Sequence, residues 1–245
     1  MQLSDATVLI VDDEPDLLGI FRMWFEPKAR LVVTAENGRQ ALERVAENRP
    51  DVIVSDVRMP VTDGIEMARQ LKAMGTPSAR IVFVSGYTDL SQRDCFDLGV
   101  EAMLPKPLRK ASLMATVQRC LLDGEERWRE RPAEECQGTL SARFESLPAA
   151  QREGLIALGS GGFCIRSGFA APPGQAIALD IVFESGRQGL KGQGIVRWLQ
   201  PGEEQVGVEI TYVDDENRGW VAALAARNES RSFIPRSSSG MQAGG

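Results

Sequence analysis

Apolar positions along this chain follow two regimes. Up to about residue 122, short β-branched runs alternate with stretches in which apolar side chains recur every three or four residues. The runs are 7–11 (TVLIV), 31–35 (LVVTA), 52–55 (VIVS), 81–84 (IVFV) and 102–104 (AML). Runs this short, without polar alternation, predict strands buried on both faces. The stretches between them predict helices. They carry Leu17, Leu18, Phe21, Trp24 and Phe25 behind Pro15, then Ala41, Leu42, Val45 and Ala46 behind Asn37-Gly38. A third spans 65–74 with Met67, Ala68, Leu71 and Met74, a shorter one runs over roughly 90–98, and the last carries Leu113, Val117 and Leu121. Five strands alternating with five helices imply a parallel sheet covered on both faces. Right-handed crossovers leave few topologies, of which a flavodoxin-like winding is the simplest.

After residue 122 the pattern changes. Residues 123–132 (DGEERWRERP) form a charged connector, predicted to continue the last helix until Pro132 ends it. Eighteen of the 24 glycines lie at or beyond Gly124, and short alternating runs replace helical spacing. Strands are predicted over 139–144, 154–158, 163–166, 176–183, 190–199 and 205–211, with turns at Pro172-Pro173-Gly174 and Gln200-Pro201-Gly202. This spacing predicts a small all-β barrel. Asp214-Asp215-Glu216-Asn217 supplies helix-start acids, and Trp220, Val221 and Leu224 give that helix an apolar face for the barrel. The serine-rich remainder reads as a disordered tail. The resulting division is 1–123, a linker at 124–137, a β domain at 138–227 and a tail at 228–245.

Charge narrows the partners. The net charge is -6, with 15 basic against 18 acidic residues in 1–123 and 13 against 16 beyond. Neither half is a basic block, and no helix-turn-helix pattern is present, so a DNA-binding output is disfavoured. The chain has no histidine, which removes His-based triads, His-zinc sites and any phosphohistidine of its own. Cys95, Cys120, Cys136 and Cys164 are scattered and read as free thiols of a reducing cytosol. The first residues show no signal peptide, and no uncharged run approaches the ~18 residues of a membrane span, so a cytoplasmic protein is expected.

The strand ends carry the candidate chemistry. Strand one runs into Asp12-Asp13, strand three into Asp56, strand four into Ser85, and strand five stops just before Lys106. In a parallel sheet these ends share one edge, where open α/β sheets place their ligands. Three carboxylates gathered there repel unless a cation intervenes. Oxygen ligands without imidazole or thiolate suit Mg²⁺. A lysine ammonium and a serine hydroxyl opposite that metal suit a phosphoryl group. The chemistry indicated is phosphoryl transfer to a carboxylate.

The motifs D-D-E-P, D-V-R-M-P-x-x-D-G, S-G-Y and P-K-P, in this order over residues 1–123, resemble a two-component receiver domain of the chemotaxis type. The resemblance implies that Asp56 accepts phosphate from the phosphohistidine of a partner histidine kinase or phosphotransfer protein. It implies that Asp13, Asp56 and the backbone carbonyl of Arg58 hold Mg²⁺, with Asp12 assisting, and that Ser85 and Lys106 contact the phosphoryl oxygens. The family has an aromatic switch residue three positions before the lysine, where this chain has Met103; Tyr87 is the other candidate reporter. The family also implies a homodimer through the face built from the fourth helix, fifth strand and last helix.

The second half resembles a PilZ domain. The matching pieces are G-G-F-C-I-R, P-P-G-Q-A-I-A-L-D-I, L-K-G-Q-G-I-V-R-W and V-G-V-E-I, followed by an acidic helix start. That family binds cyclic di-GMP through R-x-x-x-R, matched by Arg127 and Arg131, and through [D/N]-x-S-x-x-G. Aligning the latter on Gly161-Gly162 puts Ala157 and Gly159 where its two polar side chains belong, with Ser160 one residue out of register. The expectation is therefore a response regulator, not an enzyme, with a degenerate PilZ output acting on a downstream protein. The alternative is a cyclic di-GMP effector tuned by phosphorylation.

Overall fold

The computed structural model describes residues 1–74, 79–86, 91–186, 188–227 and 232–236. The chain divides into two compact units, Met1–Leu122 and Asp123–Gly245.

The first unit holds strands β1 (Thr7–Val11), β2 (Leu31–Ala35), β3 (Val52–Asp56), β4 (Arg80–Ser85) and β5 (Val100–Pro105). They form a parallel sheet in the order β2-β1-β3-β4-β5, the flavodoxin-like winding. Helices α1 (Pro15–Phe25), α2 (Gly38–Asn48), α3 (Gly64–Ala73), α4 (Gln92–Asp97) and α5 (Lys110–Leu121) connect them. Successive strand residues point to opposite faces, so each short run feeds two cores. Val8, Ile10, Val52, Val54, Val82 and Val84 pack with Phe21 and Phe25 of α1 and with Leu113 and Val117 of α5. Leu9, Val11, Ile53, Ile81 and Phe83 face the other way, onto Ala41 and Val45 of α2, Met67 and Leu71 of α3 and Cys95 of α4. The helix starts are fixed by short polar side chains: Asn37 accepts from the Gln40 N–H, Asp63 from Glu66 and Ser91 from Asp94.

The connector departs from expectation. The last helix of the first unit does not continue: α5 ends at Leu121, Leu122 is extended, and Asp123 caps a separate four-residue helix, α6 (Gly124–Arg127). An aspartate whose side chain accepts the N–H three residues on starts a helix, and that local preference outweighs the helical composition around it. Trp128 of this charged stretch is fully buried, and its carbonyl accepts the Val213 N–H.

The second unit contains β6 (Thr139–Phe144), α7 (Leu147–Arg152), β7 (Ile156–Leu158), β8 (Gly162–Arg166), β9 (Ala176–Phe183), β10 (Gln188–Gln200), β11 (Gln205–Val213) and α8 (Asp215–Ala226). Its six strands form a mixed sheet in the order β6-β9-β10-β11-β8-β7, with β6 parallel to β9. Among the described residues β6 and β7 do not pair, so the expected barrel is a half-barrel. β9 shows strict alternation, with Ile177, Leu179, Ile181 and Phe183 inward. They share a core with Trp128, Leu140, Phe163, Val208 and Val221 of α8. Trp220 sets its ring 5.8 Å from that of Phe183, so the predicted apolar face of α8 does meet the sheet. Helix α7 was not foreseen. Ser146 caps it and Pro148 lies in its first turn, between the strands predicted over 139–144 and 154–158, where the sequence pattern suggests only a connection.

The serine-rich terminus also differs from a uniformly disordered tail. Residues 232–235 (SFIP) are buried, Phe233 to 1% and Ile234 to 0% exposure.

Candidate functional site

Parallel registry brings the predicted residues to one sheet edge. Val11 pairs with Ser55, Asp56 with Val84 and Ser85 with Pro105. Asp12 and Lys106 are each one residue beyond their strands, and Asp56 and Ser85 are the last residues of theirs. Gly64 permits the turn behind Asp56, because a Cβ there would lie 2.4 Å from the Asp56 carbonyl oxygen.

Lys106 is the hub. Its Nζ lies 2.9 Å from Asp56 Oδ2 and 3.2 Å from Asp12 Oδ2. The other oxygens of the two carboxylates take backbone donors: Asp12 Oδ1 accepts the Glu14 N–H at 2.9 Å and Asp56 Oδ1 accepts the Val57 N–H at 2.6 Å. Asp12 is buried, Asp56 half-buried and Asp13 exposed. Carboxylate oxygens of Asp12, Asp13 and Asp56 lie within 4.8 Å of one another. Burial pushes the Asp12 carboxyl above its ordinary value, against the Glu14 N–H and Lys106, and the nearby Asp56 adds to the rise. Burial alone would lower Lys106, but its hydrogen bond to Asp56 and the charges of Asp12 and Asp56 outweigh that and raise it. The edge thus holds more negative charge than one ammonium neutralises. An all-oxygen cluster of this charge fits a hard divalent cation.

Ser85 is buried at the end of β4, and Arg58 is exposed two residues beyond Asp56. Met103 pairs in register with Phe83 and packs, half-buried, on the core shared with α2, α3 and α4. Tyr87 lies outside the described residues.

The family description "Response regulator receiver domain" matches residues 8–118. Residues 8–118 form a response regulator receiver domain. Response regulator MprA of Mycolicibacterium vanbaalenii is 34% identical over 115 residues, 46% of this chain and 49% of that protein. Transcriptional regulatory protein PrrA of Mycobacterium tuberculosis is 35% identical over 120 residues, 49% of this chain and 51% of that protein. The chain therefore spans about half the length of these relatives. Among solved structures, the chemotaxis protein CheY4 of Vibrio cholerae matches with 30% identity and a TM-score of 0.45, covering 48% of this chain and 99% of that one. Receiver-domain response regulators are not an enzyme family, and receiver domains bind Mg²⁺ at an acidic pocket of this kind. No helix among the described residues is long and apolar enough to cross a membrane.

The second unit brings its predicted residues together less well. Arg127 is half-buried in α6, and Arg131 is exposed with its guanidinium carbon 5.8 Å from the centre of the Tyr212 ring. At Ser160 the loop is filled: the Ser160 N–H donates to the Ser232 carbonyl at 2.9 Å and the Gly161 N–H to the Phe233 carbonyl at 3.0 Å. The chain's own segment therefore occupies these two backbone donors of the loop. Sequence reasoning missed that segment. Its only signal is the pair Phe233-Ile234, apolar within a serine-rich stretch.

Proposed function

We propose that this chain is phosphorylated on Asp56 by the phosphohistidine of a partner histidine kinase or phosphotransfer protein, and that it signals through a PilZ-like second unit by protein contacts. The observation that carries this reading is Lys106 bridging Asp56 and Asp12 at one sheet edge, with Asp13 beside them. A carboxylate oxygen of Asp56 forms the new P–O bond as the P–N bond of the donor breaks, and the electron pair leaves with the imidazole. Lys106 turns from the carboxylates to the transferred phosphoryl oxygens, joined by the Ser85 hydroxyl. Asp12, Asp13, Asp56 and the Arg58 carbonyl would hold Mg²⁺, which when bound neutralises charge on the phosphoryl group.

The new negative charge biases the loops carrying Ser85 and Lys106, and α4, β5 and α5 form the face through which the receiver dimerises and relays the change. The protein-contact reading of the output is favoured over cyclic di-GMP by Ala157 and Gly159 and by the filled loop at Ser160. A DNA-binding output is disfavoured by the acidic second half.

Incubation with a small phosphodonor and Mg²⁺, read by intact mass, tests the first part. Wild type gains one phosphoryl group and Asp56→Asn gains none; equal labelling of both refutes the assignment. Calorimetric titration with cyclic di-GMP, with and without beryllofluoride, tests the second. Flat traces support a protein partner, whereas micromolar binding lost in Arg127→Ala makes the chain a nucleotide effector.

A further inference from the structure

The loop at 159–162 is shaped by what lies on it. A Cβ on Gly161 would fall 1.8 Å from the Phe233 ring, so the ring lies flat on a backbone that has no side chain. A Cβ on Gly159 would lie 2.3 Å from the Phe233 carbonyl oxygen, and one on Gly162 would lie 2.9 Å from an Ile234 side-chain carbon. Gly162 is required first by the sheet, since its Cβ would lie 2.1 Å from the Val208 carbonyl oxygen, so Gly159 and Gly161 are the two glycines that make a slot for an aromatic side chain, with the aliphatic one beside Gly162. The slot is rigid: the Gly159 N–H donates to the Gly162 carbonyl at 2.7 Å, and the Ile210 N–H of β11 donates to the Gly161 carbonyl at 2.9 Å.

Recognition of the segment is modular. Two successive N–H groups, those of Ser160 and Gly161, donate to two successive carbonyls, those of Ser232 and Phe233. Phe233 and Ile234 then fill the slot, and Pro235 closes the buried stretch before exposed Arg236. Main-chain bonds with pockets for side chains are how folded domains capture extended peptides. All of these contacts come from residues 232–235, so the same segment delivered by a second molecule makes them equally well.

We propose that the cleft over residues 159–162 is a peptide-docking site whose ligand is the Ser-Phe-Ile-Pro segment, held in cis in the isolated chain and exchanged with the segment of a second copy. The cis segment has the advantage of a high effective concentration, of order millimolar for a short tether, so exchange is favoured only when copies are brought together. The inference does not rest on phosphorylation of Asp56.

A fluorescent peptide Ser-Phe-Ile-Pro-Arg is the probe. Full-length Phe233→Ala/Ile234→Ala, whose cleft is vacated, is expected to bind it at least about ten-fold more tightly than wild type, whose segment competes. Adding Gly161→Ala to that variant is expected to abolish binding. Mixing the tail variant with a chain carrying Gly161→Ala alone, each unable to pair with itself, is expected to give a heterodimer in sedimentation. Failure of the folded tail variant to bind the peptide, or binding that Gly161→Ala leaves unchanged, overturns the docking site. Peptide binding without a heterodimer overturns exchange and leaves a latch in cis. If the tail variant does not fold, hydrogen exchange on wild type decides. Ser160 and Gly161 amides that exchange well before those of Val206 and Val208, and are slowed by added peptide, support a detachable segment. Amides that open only with the whole sheet overturn it.

Discussion

Removing Lys106 tests the electrostatics of the sheet edge most sharply. Lys106→Ala takes away the ammonium that lies 3.2 Å from Asp12 and 2.9 Å from Asp56. Asp12 is 1% exposed, so its charge stays poorly solvated and faces Asp56 without the Lys106 ammonium. Breaking a fully buried ion pair costs about 3–5 kcal/mol, and losing a charge-assisted hydrogen bond about 1.5–3. The lysine side chain here is 24% exposed and water refills part of its place, so a loss of about 1–3 kcal/mol at pH 7 is expected. The pH dependence follows from direction. A raised Asp12 carboxyl disfavours folding increasingly as pH climbs from its unfolded value of 3.8 through the folded one, and Lys106→Ala deepens that cost. Lys106 itself is raised, so its contribution is fully present below 10.5 and is lost as pH rises through its folded value. The gap between wild type and variant therefore shrinks below pH 3.8, where the Asp12 carboxyl is protonated in both states.

Mg²⁺ supplies the diagnostic. A ligand at about 100 times its Kd stabilises the folded state by about 2.7 kcal/mol. The variant's cluster has lost a competing cation, so Mg²⁺ binds it more tightly and stabilises it more than it does wild type. Urea unfolding of both proteins, with and without Mg²⁺, measures this. A gap that closes as Mg²⁺ is added supports a cation-deficient carboxylate cluster. A gap that stays constant or widens shows that Lys106 matters through packing and refutes the reasoning.

Other outcomes follow from particular residues. Val61 has φ of 70° and is 71% exposed, while the Thr62 N–H donates to the Pro60 carbonyl across it. A β-branched residue in that conformation is strained, so Val61→Gly is expected to stabilise by about 1 kcal/mol, and a melting temperature below wild type contradicts this. Because Asp12 is raised and metal needs the ionised carboxylate, Mg²⁺ affinity is expected to increase as pH rises from 3.8 through the folded value of Asp12, with proton release that calorimetry in two buffers can read. Cys95, Cys120 and Cys164 are buried, and burial pushes the Cys95 thiol up to about 11, whereas Cys136 is half-exposed. A disulfide reagent is therefore expected to modify Cys136 quickly in the native protein and the other three only after denaturation.

The first unit was legible because its signals are local and repeated. Val8, Ile10, Val52 and Val54 form runs that suit only a strand covered on both faces, and parallel topology then forces Asp12, Asp56, Ser85 and Lys106 to one edge. Alternation in β9 was similarly plain. What escaped depended on single caps or distant contacts. Ser146 and Asp123 are both helix starts, and each was submerged in a stretch whose composition suggested something else. Trp128 sits among charges in sequence yet fills the second core, and Phe233 lies more than 70 residues from the glycines that receive it. Neither contact leaves a periodic trace, so only the folded arrangement reveals it.

The central claim is that Asp56 is the phosphoacceptor. The most direct measurement is to phosphorylate the wild-type chain with a small phosphodonor and Mg²⁺, trap the product by borohydride reduction and locate the altered residue by tandem mass spectrometry. The account predicts a single modified residue, Asp56, with labelling that alkali removes and that a chelator of Mg²⁺ prevents. Stable phosphate on Ser85, modification of Asp12 or Asp13 in place of Asp56, or no labelling of the folded protein would contradict it.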